Sequence, residues 1–357
     1  MKNIVYKFFN TDEGSAYMLI GYLSPNKSPN ELAELVSMTC KYKGISLLYL
    51  TPGDVKENSE KITGKMLFEN EWRKVTVPLP KYIDVSINCY KILTESQQLY
   101  LRNNTKLSET GLNRLSQVAV QENLLKDENL KEIIIPSDRI LSGKRFYKFI
   151  YEHEQVILKP IAGQLEEQIY YLSVAENGFV LKTEKEERFI DKSELSTLYD
   201  NIFTQKKFII QKFINSTTKQ GYPFNCRINI MKNEKGKWEI ARKYIQIGIS
   251  QKFVSNLSQG EGISDVAPFL DSNLPGQRKV INQKLNRIAK TIPLKVEKLR
   301  KHNLITMGID LGIDRSGDIY LFGIKSMPTT KNLRDKVALL KADYYYYISQ
   351  NYESNIK

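Results

Sequence analysis

The sequence predicts an α+β fold opened by an N-terminal α/β domain, and three observations carry that expectation. Near the N-terminus a strand, a helix and a strand follow one another at the spacing of a βαβ unit. Two later stretches, Lys61–Val77 and Gly308–Pro328, read as β-hairpins. Two long apolar stripes at helical spacing, beginning at Ile281 and Leu333, supply helices that cover sheets.

Taken in order, Ala16–Leu23 (AYMLIGYL) is a short apolar run stopped by Ser24-Pro25-Asn26, the pattern of a buried strand. Ser28, Pro29 and Glu31 read as a capping box with proline in the first turn. Leu32, Leu35 and Val36 form the apolar stripe of the helix that follows, and Gly44 stops it. Ile45–Leu50 (ISLLYL) is the second buried strand, closed by Pro52-Gly53. Lys61–Leu67 and Trp72–Val77 bracket Glu69-Asn70-Glu71 as a hairpin. These elements define a first domain at residues 1–92. Residues 93–135 are polar and lack alternation, while Leu112, Leu115, Val118 and Ala119 keep helical spacing, so this stretch reads as a helical connector. Ser137-Asp138 reads as a turn and cap, and Phe146–Tyr151 as part of a helix.

The remainder divides into a smaller unit at residues 136–210 and a larger one at 211–357. Val156–Pro160 is a strand that ends in Lys159, which taken alone is a surface lysine at a strand end. Phe208–Ile214 (FIIQKFI) is a strand carrying Gln211. In Phe224–Met231 the residues Phe224, Cys226, Ile228 and Ile230 face one way and Asn225, Arg227 and Asn229 the other. That polar face either lines a cleft or simply faces solvent. Asn233–Lys237 turns the chain into Trp238–Gly248, the partner strand. Ile281–Lys301 is a helix with an expected kink at Pro293. In the last hairpin a loop at Arg315–Asp318 sets Asp314 opposite Ile319 and Asp310 opposite Gly323, because antiparallel partners keep a constant sum of residue numbers. Asp310, Gly323 and Lys325 then share one face. Leu333, Val337, Leu340, Tyr344, Tyr347 and Ile348 make a final amphipathic helix whose tyrosine cluster reads as packing.

Composition narrows the function classes. At 357 residues, 41% hydrophobic and 10% aromatic, the chain has material for two or three folded domains, and no apolar run approaches the length of a membrane helix. The first residues lack the charged start, apolar core and cleavage site of a signal peptide. Cys40, Cys89 and Cys226 are too far apart for a zinc site or a disulfide framework, which implies a reducing, cytoplasmic setting. A net charge of +13 attracts anions, yet the lysines are scattered and no arginine block stands out, which argues against nucleic acid as the partner. With His153 and His302 the only histidines, any chemistry rests on carboxylates and lysines.

The Gly308–Pro328 hairpin, VILKPIAG at Val156–Gly163, and the FIIQKFI and YPFNCRI segments together resemble the YheC/YheD family of ATP-grasp proteins, in order and over nearly the whole chain. The resemblance implies an ATP-grasp fold preceded by a preATP-grasp-like α/β domain. It further implies ATP and magnesium as cofactors, if the cleft still binds them, and a nucleotide site containing Lys159, Gly163, Gln211, Arg227 and Asn256. The family's last strand reads Glu, any residue, Asn ahead of a proline; here Gly323 and Lys325 stand at those positions before Pro328, leaving Asp310 as the retained metal-facing residue. The glycine lid is reduced to Gly163, with Glu166 and Glu167 beside it, and Asn225 and Gln246 stand where the family has Asp and Arg. These five departures converge on one cleft, and Lys325 is expected to pair with Asp310 where a magnesium ion would have bridged.

Three functions stay open. The favoured one is a non-catalytic structural or partner-binding protein of the sporulating cell or spore coat, its partner a coat component or a paralogue. The others are an ATP-dependent carboxylate-amine ligase with unusual ligands, and a nucleotide-binding regulator without turnover.

Overall fold

The computed structural model describes residues 18–57, 59–140, 142–160, 169–183, 185–204, 208–248 and 261–351. The first sheet is built from β1 (Met18–Leu23), β2 (Ile45–Leu50), β3 (Lys61–Phe68), β4 (Glu71–Pro78), β5 (Tyr82–Val85) and β6 (Lys106–Leu107), in the order β4-β3-β2-β1-β5-β6. β1 runs parallel to β2 and β5, and β5 parallel to β6, while β3 and β4 form the expected hairpin. Helix α1 (Glu31–Tyr42) connects β1 to β2. Its cap is Asn30, whose side chain accepts from the Ala33 N–H at 3.0 Å, so the start lies two residues beyond the expected Ser28 box. Gly44 has φ +70°, the left-handed conformation that a glycine after a helix adopts without strain. The stretch expected to be a helical connector holds α2 (Glu95–Asn104), the two-residue strand β6 and α3 (Gln117–Leu124).

The second sheet is antiparallel throughout: β7 (Ser137–Arg139), β8 (Gln155–Pro160), β9 (Tyr170–Ala175), β10 (Gly178–Lys182), β11 (Glu187–Ile190) and β12 (Phe208–Lys212), ordered β11-β10-β9-β8-β12-β7. Ser137-Asp138 is therefore strand and not a turn with a cap, because β12 offers its free edge at Ile209–Gln211 to pair with it. Helices α4 (Gly143–His153) and α5 (Lys192–Leu198) add Phe146, Ile150 and Leu195 to a core with Leu158, Leu172 and Phe208.

The third sheet comprises β13 (Phe224–Lys232), β14 (Trp238–Gly248), β15 (Glu261–Asp265), β16 (Thr306–Ile313) and β17 (Ile319–Lys325), in the antiparallel order β15-β14-β13-β16-β17. One face carries Cys226, Ile228, Ile245, Ile309 and Leu311 against the stripe Ile281, Leu285, Ile288, Ile292 and Val296 of α7 (Arg278–Arg300). A short helix, α6 (Val266–Asn273), packs beside it, and α7 continues through Pro293. The last helix, α8 (Arg334–Gln350), packs on this sheet through Val337 and Leu340 against Met231 and on the first sheet through its other face. Its Ala338, Ala342, Tyr344, Tyr345 and Ile348 join Ile20, Val36, Cys40, Leu47 and Tyr82 in a single core.

That junction also buries charge. Asp84 on β5 is 6% exposed and accepts hydrogen bonds from Ser108 Oγ at 2.7 Å, from Lys341 Nζ and from Tyr345 Oη. Burial alone would raise the Asp84 carboxyl above its usual 3.8, but the Lys341 ammonium and the three donors hold it below that value. Among the described residues no helix is long and apolar enough to cross a membrane.

Candidate functional site

The face of the third sheet opposite α7 is polar and covered. Asn225, Arg227 and Asn229 on β13 and Asp310 on β16 are each less than a tenth exposed, so β13 is buried on both faces and the solvent-facing reading of that strand is set aside. Register places Arg227 directly opposite Asp310. The guanidinium donates from Nε to Oδ1 at 2.5 Å and from Nη2 to Oδ2 at 2.7 Å, with both side chains 9% exposed. This fork-to-fork pair engages both carboxylate oxygens. Burial would lower the pKa of Arg227, and the hydrogen bonds and charge of Asp310 raise it instead. Tyr244, opposite Arg227 on β14, is also buried, and that burial pushes its hydroxyl pKa upward.

The last hairpin sets Asp310 opposite Gly323 as counted from the sequence. A bulge between Asp310 and Leu311 then shifts the register, so Ile313 rather than Asp314 faces Ile319. Lys325 Nζ lies 4.0 Å from Asp310 Oδ2, and its side chain is 48% exposed. The expected Lys325–Asp310 pair is thus an outer contact, and Arg227 is the partner that holds the carboxylate. Over Gly323 a Cβ would sit 3.3 Å from Gln117 Nε2, so α3 closes on the position where the family's carboxylate would project. The side-chain carbonyl oxygens of Asn225 and Asn229 are buried without a hydrogen-bond partner. Asn229 Nδ2 donates to Thr329 O at 3.3 Å, which ties β13 to the segment after β17.

On the second sheet β8 and β12 bring Lys159 and Gln211 together, with Lys159 Nζ donating to Gln211 Oε1 at 2.9 Å. Lys159 is half-buried, and desolvation lowers its pKa from the usual 10.5 to about 8. Gln211 is buried, and its Nε2 has no hydrogen-bond partner. Among the described residues no hydrogen bond or ion pair joins Lys159 and Gln211 to Arg227 and Asp310. Gly163 and Asn256 lie outside the described residues. The first sheet reaches this region through Ser86 Oγ, 3.2 Å from Met327 Sδ just after β17.

A magnesium ion requires several oxygen ligands, and the donor set does not fit one. Asp310 has both oxygens on Arg227, Gly323 offers no side chain and Lys325 presents an ammonium. Among the described residues no group of three or more His, Cys, Asp or Glu is placed to hold a metal ion. Counting along the hairpin found the Asp310–Gly323 pairing, but the Arg227–Asp310 pair depends on strands separated in sequence by β14, β15 and two helices. The only signal for it in the sequence was the polar face of β13.

Comparison with known proteins places this geometry. The family model described as YheC/D like ATP-grasp matches residues 110–347. Endospore coat-associated protein YheD of Bacillus subtilis (strain 168) is 25% identical over 283 residues, covering 75% of this chain; the chain spans 61% of that protein's length. Endospore coat-associated protein YheC of the same organism is 20% identical over 326 residues, 87% of this chain and 88% of that protein. Among solved structures, the ATP-grasp ligase PsnB complexed with minimal precursor aligns at TM-score 0.53 and 10% identity over 94% of this chain and 99% of its own. Macrocyclase MdnC of Microcystis aeruginosa, bound with precursor peptide MdnA, aligns at TM-score 0.51 and 12% identity over 92% of this chain and 99% of its own. The three sheets have the ATP-grasp fold, and the chain belongs to the YheC/D like ATP-grasp family.

Proposed function

We propose that this chain is a non-catalytic ATP-grasp protein, associated with the endospore coat, that acts by binding a protein partner. The supporting observation is the Arg227–Asp310 pair. Phosphoryl transfer from ATP needs a divalent cation to screen the phosphates, and the one retained metal-facing carboxylate is held by a guanidinium on both oxygens. Lys325 adds a second positive charge beside it. The coat association rests on YheD and YheC, which are described as endospore coat-associated.

A second reading, nucleotide binding without turnover, is favoured by Lys159. Its half-buried ammonium and the unpartnered Gln211 Nε2 are donors that an anion could satisfy without a metal.

Thermal unfolding with and without millimolar ATP, in magnesium and in EDTA, separates these readings, because a ligand that binds the native state raises its midpoint. No shift in either buffer is the expected result. A shift independent of magnesium replaces the first reading with the second, and a shift that requires magnesium overturns both and returns the ligase.

A further inference from the structure

A second basin lies at the free edge of the first sheet, bounded by β6, the C-terminal end of α7 and the middle of α8. It encloses about 720 Å³, within the range of roughly 300–1,000 Å³ occupied by small-molecule sites. Tyr82, Leu107 and Tyr344 give it apolar walls, and Arg102, Lys106, Lys298, Lys301 and His302 also line it. None of the residues of the Arg227–Asp310 or Lys159–Gln211 pairs lines this basin.

The charge in the basin is not neutralised. Its one carboxylate, Glu297, is already engaged by Lys232 Nζ at 2.8 Å, Trp238 Nε1 at 3.0 Å and the Leu304 N–H at 2.8 Å. Neighbouring Arg300 is consumed by a buried two-point pair with Glu109, at 2.9 and 2.8 Å. Among the described residues Arg102, Lys106, Lys298 and Lys301 have no carboxylate within 4.0 Å. His302 Nε2 lies 3.0 Å from the Ser108 carbonyl oxygen, which can only accept, so that nitrogen carries the proton.

One effect opposes an anion here. The C-terminus of α7 carries a partial charge of about −0.5. The N–H groups of Lys301 and His302 turn back onto the Glu297 and Lys298 carbonyls and cover part of it. Four full positive charges outweigh the remainder.

We infer that this basin binds a small phosphorylated molecule carrying two or more negative charges. A phosphate concentrates charge and three acceptor oxygens at one centre. It therefore matches a basin lined by three lysines and by Arg102, whose guanidinium donates from Nη1 to the Thr110 carbonyl at 3.3 Å and keeps further N–H groups for a ligand.

The test is calorimetric titration of the full chain with pyrophosphate at about 0.15 M salt, comparing wild type, Lys106→Gln/Lys298→Gln and Lys159→Ala. Both basin lysines lack ion-pair partners, so the double variant keeps the fold, checked by circular dichroism; Lys301→Gln serves as a second variant. The expected result is one saturable site, weakened at least tenfold in the double variant by the loss of two charge-assisted contacts, and unchanged in Lys159→Ala. Absence of saturation at millimolar pyrophosphate overturns the inference. So does equal affinity in the double variant, or loss of binding in Lys159→Ala, which moves the anion to the second sheet.

Discussion

Replacing Arg227 with alanine isolates the interaction on which the proposed function rests. The substitution removes two charge-assisted hydrogen bonds from Asp310 and leaves a carboxylate that is 6% exposed, with the Lys325 ammonium 4.0 Å away as its nearest cation. Breaking a buried ion pair by deleting one partner costs about 3–5 kcal/mol, most of it the desolvation of the charge left behind. In an unfolding unit of 150–250 residues, about 4 kcal/mol lowers the thermal midpoint by roughly 8–16 °C. Removing both partners with volume-conserving residues, as in Arg227→Met/Asp310→Leu, leaves no stranded charge and costs little. Urea unfolding of wild type, Arg227→Met, Asp310→Leu and the double variant closes a double-mutant cycle, with an expected coupling of at least about 2 kcal/mol. If Arg227→Ala costs under about 1 kcal/mol, in the range of exposed pairs, the carboxylate is not held as described.

Other consequences are open to the same kind of measurement. Lys341→Met strands Asp84 between α8 and the first sheet and should cost about 3–5 kcal/mol at neutral pH. Because Asp84 is held below 3.8, its stabilisation is present above that value and fades as pH falls through the folded value, so the penalty should shrink at acid pH. Lys159 gives a slope of the same sign in an alkaline window: its folded value near 8 lies below 10.5, so the unfolded chain binds more protons between them and stability rises across that window. A difference between wild type and Lys159→Met that stays flat from pH 7 to 10.5 would contradict this. Cys40, Cys89 and Cys226 are fully buried, and burial pushes each thiol up to about 12; a thiol reagent should label them only with unfolding, and labelling of the native chain would refute their burial. Gly323→Glu/Lys325→Asn combined with Arg227→Met and Gln117→Ala should gain magnesium affinity measurable by calorimetry, since it frees Asp310, restores oxygen ligands and clears the space over position 323.

Where an element is long and its pattern local, the sequence already carried it. The alternation of Phe224–Met231, the hairpin at Gly308–Pro328 and the stripe from Ile281 each record a buried face within one segment. β6 and β7, with two and three residues, are too short to show a period and exist because a neighbouring strand offers an open edge. The bulge after Asp310 is equally silent, since one inserted residue leaves the composition of the strand unchanged. The chief omission at the site was a pairing between distant segments. Arg227 read as a nucleotide ligand and Lys325 as the cation on Asp310, because adjacency along one hairpin can be counted and the partnership of β13 with β16 cannot.

The return of α8 to the first sheet has a consequence for synthesis on the ribosome. The core containing Ile20, Val36 and Leu47 is finished by Ala342, Tyr345 and Ile348, so the opening strands wait for residues made roughly 300 positions later. At 5–20 residues per second that wait is about 15–60 s, during which α1 alone covers that apolar face of the parallel strands. A nascent chain stopped before Arg334 should therefore hold its second sheet folded while the first remains accessible to chaperones and proteases, and release of the last helix should close the first.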